Sequence, residues 1–257
     1  MNLSNLTETQ ILIFALVLIR ISSFILSSSI FGSPVLMPHV KILFSVLISF
    51  LVYPLISAQM INLNISTDIA FLVFKEIAVG LTLGFLTRLF FFTISMAGDL
   101  ISITLGLSTS QLYNPMMGSQ SNSIEQLYIM FATLIFFVVN GHHIFIQTIF
   151  QSFHWVQIGS MTVSTAGFVD VALFVQKAMV LALKMCAPVL VAIFITNMAM
   201  AILGRAVPQI NVLVTSVPVT IIIGFFVCFL CLPLMMMQMH SVMDVSLTEL
   251  FKFMKGL

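Results

Sequence analysis

Gly106-Leu-Ser-Thr-Ser-Gln-Leu-Tyr-Asn-Pro-Met-Met-Gly-Ser-Gln-Ser-Asn-Ser123 is a polar, turn-rich stretch set inside an otherwise apolar sequence. Asn114-Pro115 favours a turn, Gly118 admits positive φ, and the serines and asparagines offer side-chain bonds to nearby backbone, so neither helix nor strand is expected to persist. Hydrocarbon cannot satisfy irregular backbone. Such a segment must leave the membrane, be buried in protein, or line a watery cavity, and the last option makes it a candidate gate.

The chain around it is 60% hydrophobic and 7% charged, with a mean hydropathy of +1.20. Soluble domains carry about 25% charged residues, so the composition is that of an integral membrane protein. A net charge of +1 without a basic run excludes a nucleic-acid footprint. The first residues carry Glu8 and neither Lys nor Arg, so they lack a signal peptide's positive region, and the first apolar segment is expected to be retained. Cys186, Cys228 and Cys231 all fall in apolar segments. The spacing Cys228-x-x-Cys231 suits redox or metal chemistry, but no second cluster completes a zinc set, and packing is the better reading.

A spanning helix needs about 20 mostly apolar residues. Segments 11–31, 40–58, 69–97, 126–150, 171–203 and 212–239 meet or approach that length. Residues 100–107 read as a separate short half-helix leading into the polar stretch. The expected fold is all-α, with about six long hydrophobic helices, a short broken helix and a loop. In the tail, Leu247, Leu250, Phe251 and Met254 recur at helical spacing among charged residues, as in an amphipathic helix.

Arg20, Lys75, Glu76, Arg88, Lys177 and Lys184 lie within the apolar segments. At ~2.5–3.5 kcal/mol each, six such charges facing lipid would cost roughly 15–20 kcal/mol. They are therefore expected to pair, to snorkel, to line a polar path, or to face other subunits. Glu76, Gly80, Gly84 and Arg88 recur every fourth residue on one gently spiralling stripe, and Gly80-x-x-x-Gly84 invites a close helix contact. Lys177 and Lys184 share a face, with Asp170 and Glu76 as available acids within the chain.

No zinc-protease motif, nucleophile elbow or Walker loop appears, so neither hydrolysis nor ATP use is expected, and no cofactor. His142 and His143 are adjacent, about 100° apart on a helix, and are expected to diverge rather than chelate. A secondary transporter would call for paired broken helices; only 100–115 and the polar interruption 204–211 offer themselves.

Gly106-Leu107-Ser108, Asn114-Pro115 and Gly118, then Phe136-Phe137-Val138-Val139-Asn140-Gly141-His142-His143, resemble the FliR family of the flagellar type III export gate. Ser152-Phe153, Ile158-Gly159, Ala187-Pro188, Asn197 and Gly204-Arg205-Ala206-Val207-Pro208-Gln209-Ile210-Asn211-Val212 extend the likeness over nearly the whole chain. The resemblance implies a non-enzymatic channel subunit in the bacterial inner membrane, within the flagellar basal body. It implies assembly with FliP-like and FliQ-like chains, an FlhB-like chain at the entrance, and passage of unfolded flagellar subunits. By that likeness residues 1–170 form a FliP-like part, 171–240 a FliQ-like hairpin and 241–257 a C-terminal tail. The loop 106–123 becomes a pore plug made of Leu112, Tyr113, Asn114, Pro115, Met116, Met117 and Gly118, although Thr109, Leu112 and Asn114 stand where relatives often have aromatic residues and an acid. Arg205, Pro208, Gln209 and Asn211 become the hairpin tip at the entrance, and the six buried-segment charges become intersubunit or polar-path groups. The injectisome counterpart, SctT, shares this architecture.

Overall fold

The computed structural model describes residues 8–33, 36–57, 69–107, 123–159, 165–207 and 212–256. These residues form helices without a strand among them: α1 (Glu8–Ser27), α2 (Pro38–Ser57), α3 (Ile69–Thr104), α4 (Ser123–Val138), α5 (Gly141–Trp155), α6 (Thr165–Ala206) and α7 (Val212–Gly256). Five are long and apolar enough to cross a membrane, and the bent pair α4–α5 makes a sixth if it counts as one span.

Polar side chains are accommodated in these helices without breaking them. Ser45, Ser49, Thr133 and Thr196 each donate to the carbonyl four residues back, and Thr87 to the carbonyl three back. A hydroxyl satisfied within its own helix presents no orphan group to hydrocarbon. Pro54, Pro188, Pro218 and Pro233 also sit inside continuous helices, α2, α6 and α7, where neighbouring protein can compensate the lost backbone bond.

Two boundaries differ from the sequence expectation. Residues 100–107 are not a separate half-helix: α3 runs unbroken for 36 residues to Thr104, then closes in a turn with Gly106 at φ 78°. Gly98 does not end it, because a glycine inside a helix costs only about 1 kcal/mol, and here it admits the backbone of Glu125. The break falls instead within 126–150. Asn140 adopts the left-handed conformation at φ 56°, ψ 33°, and α5 starts anew at Gly141. Asn tolerates that region better than other side chains, so the Asn-Gly pair permits a corner that the apolar pattern conceals.

The chain forms two compact units, each interleaved in sequence. The first comprises residues 1–89, 140–174 and 246–257. Its core includes Val17, Ile21, Phe24 and Val79, all essentially inaccessible. Phe14 meets Tyr53 edge-on at 5.7 Å where α1 packs on α2, and Phe24 meets Phe145 of α5 at 6.4 Å. The head of α6 and the end of α7 also meet in this unit: Lys252 donates to Asp170 at 3.0 Å, and Gly167 lies against Phe253. The second unit comprises residues 90–139 and 175–245. Phe90, Phe91 and Phe136 cluster at its centre, and Tyr128 donates to the Met235 sulfur at 2.7 Å. Leu105 fills the space over Gly224, where any Cβ would clash. Residues 241–256 continue α7 as helix and bury Leu250 and Met254.

Candidate functional site

Within the first unit, three of the intramembrane charges converge. Gly80 and Gly84 let α3 approach α1 so closely that a Cβ on Gly80 would lie 1.9 Å from Ser23 Oγ and 2.5 Å from the Arg20 carbonyl. A Cβ on Gly84 would lie 2.5 Å from Ser27 Cβ. Small residues bring the backbones together, and the charges one turn away then meet.

Arg20 and Glu76 are each 1% exposed. Arg20 Nε donates to Glu76 Oε2 at 2.6 Å, and Nη1 donates to the carbonyls of Ser152 at 3.1 Å and Val156 at 2.9 Å. Those carbonyls end α5, where the helix macrodipole is negative and a guanidinium is favoured. The Phe153 ring covers the guanidinium face at 4.3 Å from Cζ. Nη2 is buried and makes no hydrogen bond among the described residues.

The second carboxylate oxygen, Glu76 Oε1, accepts from the Gly159 N–H at 3.0 Å, while Lys75 Nζ donates to the Gly159 carbonyl at 2.9 Å. Two consecutive side chains thus grip one residue on both sides. Gly159 has φ 79°, and a Cβ there would sit 2.6 Å from Leu72. Glycine is required on both counts. Lys75 also lies 4.8 Å from the Phe71 ring centroid. Chemically this is a positioning device: both Glu76 carboxylate oxygens are engaged.

The remaining residues singled out by sequence are dispersed. Arg88, although on the same four-residue stripe, is exposed, because three steps of four residues turn it about 120° from Glu76. Lys177 and Lys184 are exposed on α6, while Glu76 pairs with Arg20 and Asp170 with Lys252. Arg205 is exposed at the end of α6. Leu112, Tyr113, Asn114, Pro115, Met116, Met117 and Gly118 lie outside the described residues, as do Pro208, Gln209 and Asn211.

One expectation is corrected. His142 and His143 do not diverge: their ring centroids are 4.3 Å apart, because side-chain rotation at the first turn of α5 folds the rings together despite the backbone angle. No group of three metal-ligating side chains forms among the described residues, and Cys186, Cys228 and Cys231 are free thiols.

The sequence reading gave no role to Ser95, Gly98 and Glu125, which join in the second unit. Ser95 donates to the Glu125 carboxylate, and Gly98 receives the Glu125 backbone. An acid in the first turn of an apolar helix was the available signal. Beside α6, an open groove of about 510 Å³ is lined by Thr104, Leu190, Val191, Ile193, Phe194 and Asn197.

The profile of the family described as "Bacterial export proteins, family 1" matches residues 11–245. The chain belongs to this family. Among its relatives is a protein named flagellar biosynthetic protein FliR in Bacillus subtilis (strain 168), 29% identical over 238 residues, 91% of each chain. FliR of Aquifex aeolicus (strain VF5) is 27% identical over 224 residues, 86% of each, and FliR of Escherichia coli (strain K12) is 24% identical over 217 residues, 84% of this chain and 83% of that one. The matched span takes in Arg20, the Lys75-Glu76 pair and Gly159, so the clamp lies within the export-protein region of the chain.

Proposed function

We propose that the chain is a non-catalytic channel subunit of the flagellar type III export gate, passing unfolded flagellar subunits across the bacterial inner membrane at the basal body. Membership of the bacterial export family over 11–245, with relatives named FliR, supports the export role. In this reading FliP-like and FliQ-like chains surround it, and an FlhB-like chain stands at its entrance. Residues 1–170 serve as the FliP-like part and 171–240 as the FliQ-like hairpin.

The observation that carries the multi-chain part of this reading is the length of exposed apolar surface on α6 and α7. They contain 42 and 45 residues, hence about 63 and 68 Å of helix against ~30 Å of hydrocarbon. Apolar side chains stay exposed from Val169 at 57% to Ile202 at 67% on α6, and only 17% of the apolar window of α7 is buried. Lipid of that thickness cannot cover both helices end to end. Other protein chains can.

Leu112, Tyr113, Met116 and Met117 then supply a dewetted seal, and the small residues around them let it move aside for a passing chain. Arg205, Pro208, Gln209 and Asn211 contact the entrance. The test is purification from native membranes through a tag after Leu257, in mild detergent, with intact-complex mass spectrometry. We expect one copy of this chain with several FliP-like and FliQ-like chains. A monomer or homodimer, from a tagged protein that still supports cell function, would overturn the proposal.

A further inference from the structure

Residues 235–244 of α7 read Met-Met-Met-Gln-Met-His-Ser-Val-Met-Asp, so thioether sulfur and an imidazole share under three turns of helix. Burial sorts them. Met235, Met239 and Met243 are closed off, whereas Met236 and Met237 keep 42% and 72% of their surface, and the side chains of His240 and Asp244 keep 53% and 63%. At 100° per residue these four exposed positions fall within an arc of about 100°, with His240 and Asp244 between the two methionines. All four belong to the second compact unit.

His240 lies one turn beyond both methionines, four positions after Met236 and three after Met237, spacings at which helical side chains meet with about 5–6 Å between Cβ atoms. Adjacent methionines need not diverge, because the unbranched side chain turns about three bonds and carries its sulfur over a wide radius. The imidazole is oriented: its Nδ1 lies 3.2 Å from Asp244 Oδ2, one turn further on. An ionised carboxylate only accepts, so Nδ1 carries the proton and Nε2 keeps its lone pair. Histidines that ligate metals are held by carboxylates in this same way.

The donor set selects the metal. His, Cys, Asp and Glu form no group of three among the described residues, so zinc, calcium or magnesium finds no ligand set there. A thioether is a different donor, soft and neutral; it favours Cu(I), and imidazole suits copper as well. We propose that Met236, Met237 and His240 form a surface site for a soft monovalent cation, Cu(I) or its mimic Ag(I), bound through the two Sδ atoms and Nε2. Asp244 is the positioning residue that orients the imidazole. The proposal draws on no residue of the Arg20 clamp and is independent of the export-gate reading.

The test is titration of the full chain in mild detergent with Ag(I), followed by NMR of isotope-labelled methionine methyl groups. Ag(I) also takes thiols, and Cys186, Cys228 and Cys231 are free, so the readout is local and not the total silver bound. It is the methyl signals of Met236 and Met237, assigned through Met236→Leu and Met237→Leu. Both are expected to shift together, at an Ag(I) concentration about tenfold below that which moves Met130, Met179 and Met198, which are exposed but have no histidine within four residues. His240→Ala should abolish this early shift in both methyls, and Asp244→Ala should weaken it by about tenfold. Zn(II) should leave both signals in place. The methyls of buried Met235, Met239 and Met243 report whether each variant is folded, and His240→Gln replaces His240→Ala if the latter is not. Signals of Met236 and Met237 that move no earlier than the three control methyls, that move singly, or that move undiminished without His240 would overturn the site, as would an equal response to Zn(II).

Discussion

Arg20 stands in an apolar helix, essentially inaccessible, and is tolerated because its neighbours answer its charge. Glu76 neutralises it, two carbonyls at the end of α5 accept from it, and Phe153 covers its face. Breaking such a pair from one side leaves an uncompensated buried ion and costs about 3–5 kcal/mol, whereas replacing both partners by apolar groups of like volume can be nearly neutral. Arg20→Met alone and Glu76→Leu alone should therefore lower the thermal midpoint in detergent sharply. The double variant should recover most of the loss, and a double variant no better than either single would count against the buried pair. The sequence made it plain that these residues needed partners, because each is costly in hydrocarbon. It could not pair them, since Arg20 and Glu76 lie 56 positions apart and meet only through the packing of α1 on α3. Gly159 was visible only as part of a family likeness. Its physical role, a left-handed residue held by Lys75 and Glu76, depends on two segments, α3 and the residues after α5, that no local spacing connects.

Among the elements, α1 and α3 are joined through Gly80 and Gly84, the one tertiary contact that spacing alone announced. Gly80→Val would drive a branched side chain into the Arg20 carbonyl and should separate the helices, at a cost of about 1–3 kcal/mol. Disulfide trapping between cysteines introduced at positions 23 and 80 cannot be used with that variant, so cysteines at 27 and 84 are the readout; undiminished trapping in Gly80→Val would refute the contact. The corner at Asn140 was hidden for the opposite reason. Apolar residues run through it on both sides, and periodicity reports faces, not φ. Asn140→Gly should leave the corner intact, while Asn140→Val, a β-branched residue at positive φ, should destabilise by about 1–2 kcal/mol. Equal thermal midpoints for the two variants would show that the left-handed residue is not needed there. Helix lengths were legible only in part: six apolar segments were evident, yet α3 passes through Gly98 because that glycine is a packing site for Glu125 and not a stop.

For the whole molecule, the all-α membrane class followed from composition, and the export family followed from motifs spread over most of the chain. What no composition could disclose is that the two compact units are interleaved. If the loop centred on Asn114-Pro115 seals a pore, Gly or Ser replacements across 112–117 should raise ion leak through membranes containing the assembled complex, at undiminished complex yield. Unchanged conductance would remove the seal from those residues.

The interleaving bears on how the protein is made. Residues 246–256 belong to the same compact unit as α1, and Lys252 and Phe253 meet Asp170 and Gly167 there. During synthesis α1 must therefore wait for residues 246–256, more than 200 positions later, before its unit is closed. A nascent chain halted before Ser246 has translated all of α1 to α6 and still holds an open N-terminal half, a state that quality-control proteases can distinguish from a finished one. Pulse-chase labelling should show such truncations degraded faster than the full chain, and supplying 246–257 in trans should slow that decay. Fragments that persist as long as the intact protein would show that the early helices close without their late partner.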